Sequence, residues 1–220
     1  MRTIRVTGKG QIKVKPDMTR ITMTLTGVYK EYCETLRKSS EDMEVLKDVL
    51  SSFGFKRSDL KTLSFNVDTE YESYRDENDN YKQRFVGYRF NHILKVEFES
   101  DNDRLGKILY ALANCSVRPE FRISYIVKNP EATKNLLLGK AVTDARGKAE
   151  VLTQAAGVVL KDIQSIDYSW GEIDFECSPM NESVLMKCCE PSMPYSSYDL
   201  DIEPDDIDVS DTVTVVWEIA

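Results

Sequence analysis

The chain has 220 residues, enough to bury a substantial core in one large domain or in two small ones that share a sheet. Its 29 Lys and Arg against 37 Asp and Glu leave a formal charge of -8, which disfavours nucleic acid and anionic lipid as partners. Hydrophobic content of 41% is ordinary for a globular protein, and no apolar run reaches the roughly 20 residues of a transmembrane segment.

The first residues, MRTIRVTGKGQIKV, enter an alternating strand pattern at once, without the basic start and apolar stretch of an export signal. As given, the chain is expected in the cytoplasm; a chain from which an export signal had been removed would read the same and be periplasmic. Ile4, Val6, Gly8, Gly10, Ile12 and Val14 alternate with polar residues, Pro16-Asp17 breaks the run, and Ile21, Met23 and Leu25 resume it, which predicts a hairpin-like strand pair. Tyr32, Leu36, Met43, Leu46, Leu50 and Phe53 then share a helical face that ends at Gly54. Leu63, Phe65, Val67, Thr69 and Tyr71 predict a half-buried strand, and Val86 to Phe98 a long strand that returns beside it as an antiparallel hairpin.

Asp101 caps a short helix carrying Leu105, Ile108, Leu109 and Leu112, and Phe121 to Val127 form the next strand. The longest helix runs from Asn129, its N-cap, through Pro130 to the stop at Gly157, with an apolar stripe at Leu138, Ala141, Val142, Ala145, Ala149, Leu152 and Ala156. Ile163, Ile166, Tyr168 and Trp170 slip from odd to even spacing, the mark of a bulged strand, and Val213, Val215, Trp217 and Ile219 close the chain as the last one. The fold class is α+β, antiparallel sheets with one long and two shorter helices packed against them, in the order ββαββαβαββ. No linker separates the parts, so a single domain over 1–220 is expected, with subregions of about 1–99 and 100–220 sharing a core. Residues 171–210, rich in Asp, Glu, Ser and Pro, read as an irregular acidic insertion.

Residues able to carry chemistry are few. His92 is the single histidine, and it lies on the apolar face between Phe90 and Leu94, where a hydrogen-bonded core histidine is the ordinary reading. The five cysteines are odd in number and irregular in spacing, which fits reduced thiols. Cys188 and Cys189 are adjacent, unsuited to clasping a tetrahedral metal together, so loop-thiol oxidation is their main chemical option. The carboxylates from Asp199 to Asp208 lack the order of a calcium loop and read as a solvated charge run. Gly8-Lys9-Gly10 lies within a strand pattern with no helix following, so close approach of another backbone explains it better than a phosphate cradle. Gly139, Thr143 and Gly147 fall at four-residue steps on the side of the long helix away from its alanines, a surface another chain can approach closely. No cofactor, metal or catalytic residue is expected.

Five motifs in order carry a family resemblance: Ile4, Val6, Gly8, Gly10 and Val14 with Pro16-Asp17; Gly54-Phe55 with Asp59 to Thr62; Gly87 to Asn91; Ala141 to Glu150; and Ala156 to Val158. Together they resemble the SIMPL-domain (DUF541) family of bacterial periplasmic and outer-membrane antigens and stress-associated proteins. The resemblance implies an α+β fold, ring-like homo-oligomers in some members, and no established enzymatic activity. It assigns no catalytic residue, and this chain departs from it in lacking an export signal and in its cysteine-bearing acidic insertion. The expected function is that of a non-enzymatic protein that self-assembles into a homo-oligomer or binds a protein partner. The alternative is a thiol-based redox or stress protein that uses Cys188 and Cys189.

Overall fold

Pro16 and Asp17 separate two strands that take different partners. The backbone N–H of Asp17 donates to the carbonyl of Ile126 at 3.2 Å, and its carboxylate accepts from the N–H of Lys128 at 2.7 Å. Asp17 is therefore tied to the chain around residue 127, and no hairpin turn forms. The expected hairpin is replaced by two separate pairings: β1 (Arg2–Val14) with β8 (Ile207–Ile219), and β2 (Met18–Tyr29) with β4 (Tyr81–Glu99), both antiparallel. The computed structural model describes residues 2–76, 79–168, 175–177 and 203–220.

Among the described residues, three helices and two antiparallel sheets give an α+β fold whose elements follow the expected order, with one additional short strand. The chain divides into two compact units. One holds Met1–Asp17, Tyr125–Cys177 and Pro204–Ala220; the other is built on Met18–Ser124.

In the second unit, α1 (Tyr32–Ser51), β3 (Lys61–Arg75), α2 (Asn102–Asn114) and β5 (Glu120–Ile126) join β2 and β4, with strand order β3-β4-β2-β5. Alternation puts Ile21, Met23 and Leu25 of β2 and Phe90, Leu94, Val96 and Phe98 of β4 on one face. Leu46 and Leu50 of α1 and Leu105, Ile108, Leu109 and Leu112 of α2 close that core. Asp101 caps α2 as expected, accepting the N–H of Arg104 at 3.0 Å. The inner face of α1 departs from expectation at its start: Thr35 and Ser39 are buried, whereas Tyr32 and Leu36 are exposed. Small side chains let the first turns lie close to β4, where the Thr35 hydroxyl reaches the Tyr88 carbonyl at 3.4 Å.

In the first unit, α3 (Pro130–Ala156) covers the sheet β1-β8-β6, whose third strand is β6 (Leu160–Tyr168). Its ends are as the sequence dictates. Asn129 accepts the N–H of Ala132 at 3.1 Å, and Gly157 stops the helix at φ +69°. Ala141, Ala145 and Ala149 are fully buried, joined by Leu137 and Thr153, while Leu152 is exposed. The expected stripe holds from Leu138 to Ala149, with Leu138 and Val142 partly buried against the core beside the alanines, and fails at Leu152 and Ala156, which are exposed. β6 carries the anticipated register irregularity, between Leu160 and Ser165. Two strands lie inside the stretch that composition marks as irregular: β7 (Glu176–Cys177), paired with Tyr125 and Ile126, and the start of β8, where Ile207 and Val209 are buried with Ile12 and Leu137.

The contact of α3 with β1 is the tightest of the fold. A Cβ on Gly8 would fall far inside contact distance of the Ala141 carbonyl oxygen, and one on Gly10 would meet the Leu137 carbonyl. We expect Gly8→Ala to lower stability by about 3 kcal/mol, and Ala145→Leu by a similar amount, because neither backbone can yield without moving the other. Gly139→Ala, whose Cβ meets nothing within 4 Å, should instead raise stability by about 1 kcal/mol through helix propensity. Urea midpoints of the three variants check the contrast; a neutral Gly8→Ala contradicts the packing.

Candidate functional site

His92 is the natural starting point, being the single imidazole. β4 places it on the core side of the sheet, opposite Leu25 of β2 and Phe65 of β3. It is buried, Nε2 lies 3.0 Å from the Thr62 hydroxyl, and the Phe65 ring meets it edge-on with centroids 5.0 Å apart. Nδ1 is buried with no hydrogen-bond partner among the described residues. A hydroxyl beside an imidazole is half of a nucleophile and base pair, but no group orients the ring from Nδ1. The arrangement satisfies one buried nitrogen and fastens the start of β3 to the sheet.

The α3 positions singled out by their spacing do share one open surface. Added Cβ atoms at Gly139 and Gly147 meet nothing within 4 Å, and the Thr143 hydroxyl donates to the Gly139 carbonyl of its own helix at 2.8 Å. Asn135, Leu136, Gly139, Lys140, Thr143 and Asp144 line a shallow depression there. Cys188 and Cys189, by contrast, lie outside the described residues. Cys33, Cys115 and Cys177 are free thiols, and among the described residues no three His, Cys, Asp or Glu side chains converge as a metal site would require.

The sequence reading missed a second surface. The half-buried strand expected at Leu63 to Tyr71 is instead exposed over nearly its whole length. Among the described residues β3 is an edge strand of 15 residues with β4 as its one neighbour. β2 stops pairing at Tyr29, opposite Tyr88, so residues 81–87 of β4 are partnered by β3 alone. On this two-stranded arm the rings of Tyr71 and Phe85 meet edge to face at 5.7 Å, Phe85 and Tyr88 at 5.4 Å, and Tyr88 and Tyr32 of α1 at 5.4 Å. Near the tip the Arg75 guanidinium lies over the Tyr81 ring, 4.6 Å from its centroid. The alternation was readable; the end of β2, which leaves the aromatic face uncovered, was not.

The model of the SIMPL family, a protein family of unknown function (DUF541), matches residues 4–217. The chain belongs to the SIMPL family. Among its relatives, the 26 kDa periplasmic immunogenic protein of Brucella melitensis is 29% identical over 164 residues, 74% of this chain and 65% of that protein. Its namesake from Brucella abortus matches to the same extent. The uncharacterized protein YggE of Edwardsiella ictaluri is 25% identical over 215 residues, 97% of this SIMPL chain and 85% of that protein. The chain thus spans 65% of the length of the Brucella relatives it matches. No helix among the described residues is long and apolar enough to cross a membrane.

Burial, and then the Lys47 charge, hold the His92 pKa below its ordinary value of 6.5. A histidine so shifted favours folding in its neutral form. That contribution is complete above the unfolded value and is lost as pH falls through 6.5 towards the folded one. We expect the wild-type urea midpoint to drop between about pH 7.5 and pH 5, and His92→Gln to remove part of that drop. Identical pH profiles for the two proteins would contradict this.

Proposed function

We propose that this SIMPL protein is a non-enzymatic subunit that associates with copies of itself and presents its surfaces to protein partners. The observation that carries the reading is β3, a long edge strand with one neighbour among the described residues and almost no burial. An open edge offers a row of backbone donors and acceptors to another chain, and long edges in monomeric proteins are ordinarily covered, charged or bent away. The edge of β1 shows what cover looks like: Asp144 of α3 accepts its Lys9 N–H at 2.7 Å, and Lys148 reaches the Thr7 carbonyl at 3.5 Å. No described helix or loop serves β3 in this way.

The outer side of α3 supplies a second surface. Gly139 and Gly147 each weaken the helix by about 1 kcal/mol relative to alanine, and neither is needed for room within the chain. Joined between copies, the α3 face and the β3 edge make a heterologous contact, which closes into a ring or continues as a filament. A closed ring is the assembly we favour. The Brucella relatives, named periplasmic and immunogenic, support a periplasmic setting over a cytoplasmic one.

Light scattering at high micromolar concentration tests the proposal. The wild type should show the mass of several chains. Gly139→Gln combined with Gly147→Gln should lower that mass while leaving the circular dichroism intact, because both side chains project into open space within the monomer. A wild type of single-chain mass overturns the reading.

A further inference from the structure

The aromatic face of the β3–β4 arm needs an explanation that the open strand edge does not supply. Beyond the pairing of Tyr29 with Tyr88, the arm is a two-stranded ribbon of the kind that is only marginally stable alone in water. Tyr71, Phe85, Tyr88 and Tyr32 meet in edge-to-face ring contacts on one face, and alternation along β4 puts Tyr81, under the Arg75 guanidinium, on the same side. Glu72 with Arg84, and Lys82 with Asp76, make cross-strand ion pairs along the ribbon. Tyr32 is 48% exposed, Tyr71 53%, Phe85 45% and Tyr81 74%. With about 200 Å² for each aromatic side chain, these four present roughly 450 Å² to solvent.

We infer that this aromatic face is covered by the same face of a second copy of the chain, the two arms lying against each other about a two-fold axis. The inference rests on the self-association proposed above and names a surface for it. Two arguments select a second copy over a partner of other chemistry. The first is charge. The segment from Lys61 to Arg89 contains five Lys and Arg against six Asp and Glu, a net of -1 in a chain of -8. Two copies repel one another over most of their surface but hardly at all here, and the ion-paired charges offer no sign by which a basic or acidic partner would be chosen.

The second argument is area. Two such faces brought together bury about 900 Å² in total, close to the roughly 1,000 Å² at which specific interfaces begin, and leave the β3 edge free for the α3 face of another copy. A two-fold contact is isologous, so each Tyr and Phe serves on both sides and the arm needs no second recognition element.

The test is the solution mass of Tyr71→Ser combined with Phe85→Ser, measured beside Tyr74→Ser, whose side chain projects from the other face of β3. Far-UV circular dichroism and the urea midpoint establish that each variant is folded. The double variant should show at most half the wild-type mass, whereas Tyr74→Ser should keep it. A folded double variant of wild-type mass overturns this surface and leaves self-association standing. Tyr74→Ser dissociating as completely as the double variant would likewise remove the aromatic face as the contact. A wild type of single-chain mass overturns both this inference and the self-association beneath it.

Discussion

The approach of α3 to β1 fixes the first unit, because at that contact there is no side chain to compress. Gly8 lies under the Ala141 carbonyl and Gly10 under the Leu137 carbonyl, with the small side chains of Ala141 and Ala145 beside them in the core. Two backbones at this distance leave the helix one rotation about its axis, since a turn of a single residue would bring Val142 or Arg146 into space that holds a hydrogen atom. Everything else on α3 follows from that rotation. Asp144 and Lys148, a 2.7 Å ion pair, fall beside the outer edge of β1 and complete the open backbone groups at Lys9 and Thr7. Gly139, Thr143 and Gly147 necessarily fall on the far side.

The second unit is organised differently, by a strand that ends early. β4 has 19 residues and β3 has 15, but β2 has 12, and the sheet is three strands wide only as far as Tyr29. Within that width Phe90, Leu94 and Val96 are covered by α1 and α2. Beyond it the β3 side chains keep the same alternation with no described element above them, and Tyr71 and Phe85 are exposed. The Thr35 and Ser39 start of α1 belongs to the same arrangement. It seats the helix low against β4 and leaves Tyr32 at the boundary, where its ring meets Tyr88 instead of the core.

Local chemistry was legible in the sequence wherever it was decided locally. Asn129, Pro130 and Gly157 announced the long helix, Asp101 the short one, and the slipped spacing after Leu160 a bulge that the register shows. The glycines of β1 were readable as close approach, though not against which element. Choice of strand partner was beyond sequence reading. The patterns around Pro16 suit a hairpin, whereas Asp17 is held by Ile126 and Lys128 and β1 pairs along its whole length with β8. Ile207 and Val209 were hidden among acidic neighbours, although their two-residue step gives them the buried face of β8. Burial of β3 was misjudged for a related reason: alternation states which residues share a face, not whether anything covers it.

That limit applies most sharply at Gly87, where the arm acquires its aromatic face. Glu70 pairs with Gly87 and Tyr71 with Phe85, so Val86 is an extra residue in β4. Side chains alternate with a period of two, and a regular strand would therefore put Val86 and Arg84 on the Tyr88 side and send Phe85 to the other. The bulge reverses this and brings Phe85 to 5.4 Å from Tyr88 and 5.7 Å from Tyr71. It lies where a side chain has no room, since a Cβ on Gly87 would collide with the Tyr29 carbonyl. One inserted residue beside one glycine thus gathers rings from β3, β4 and α1 into a continuous patch, at the point where β2 ends. The fold of the second unit gains no buried core from that placement, because Tyr71 and Phe85 remain exposed. A bulge and a glycine thus assemble aromatic side chains that the fold leaves in water, and the proposed contact between copies starts from that exposed face.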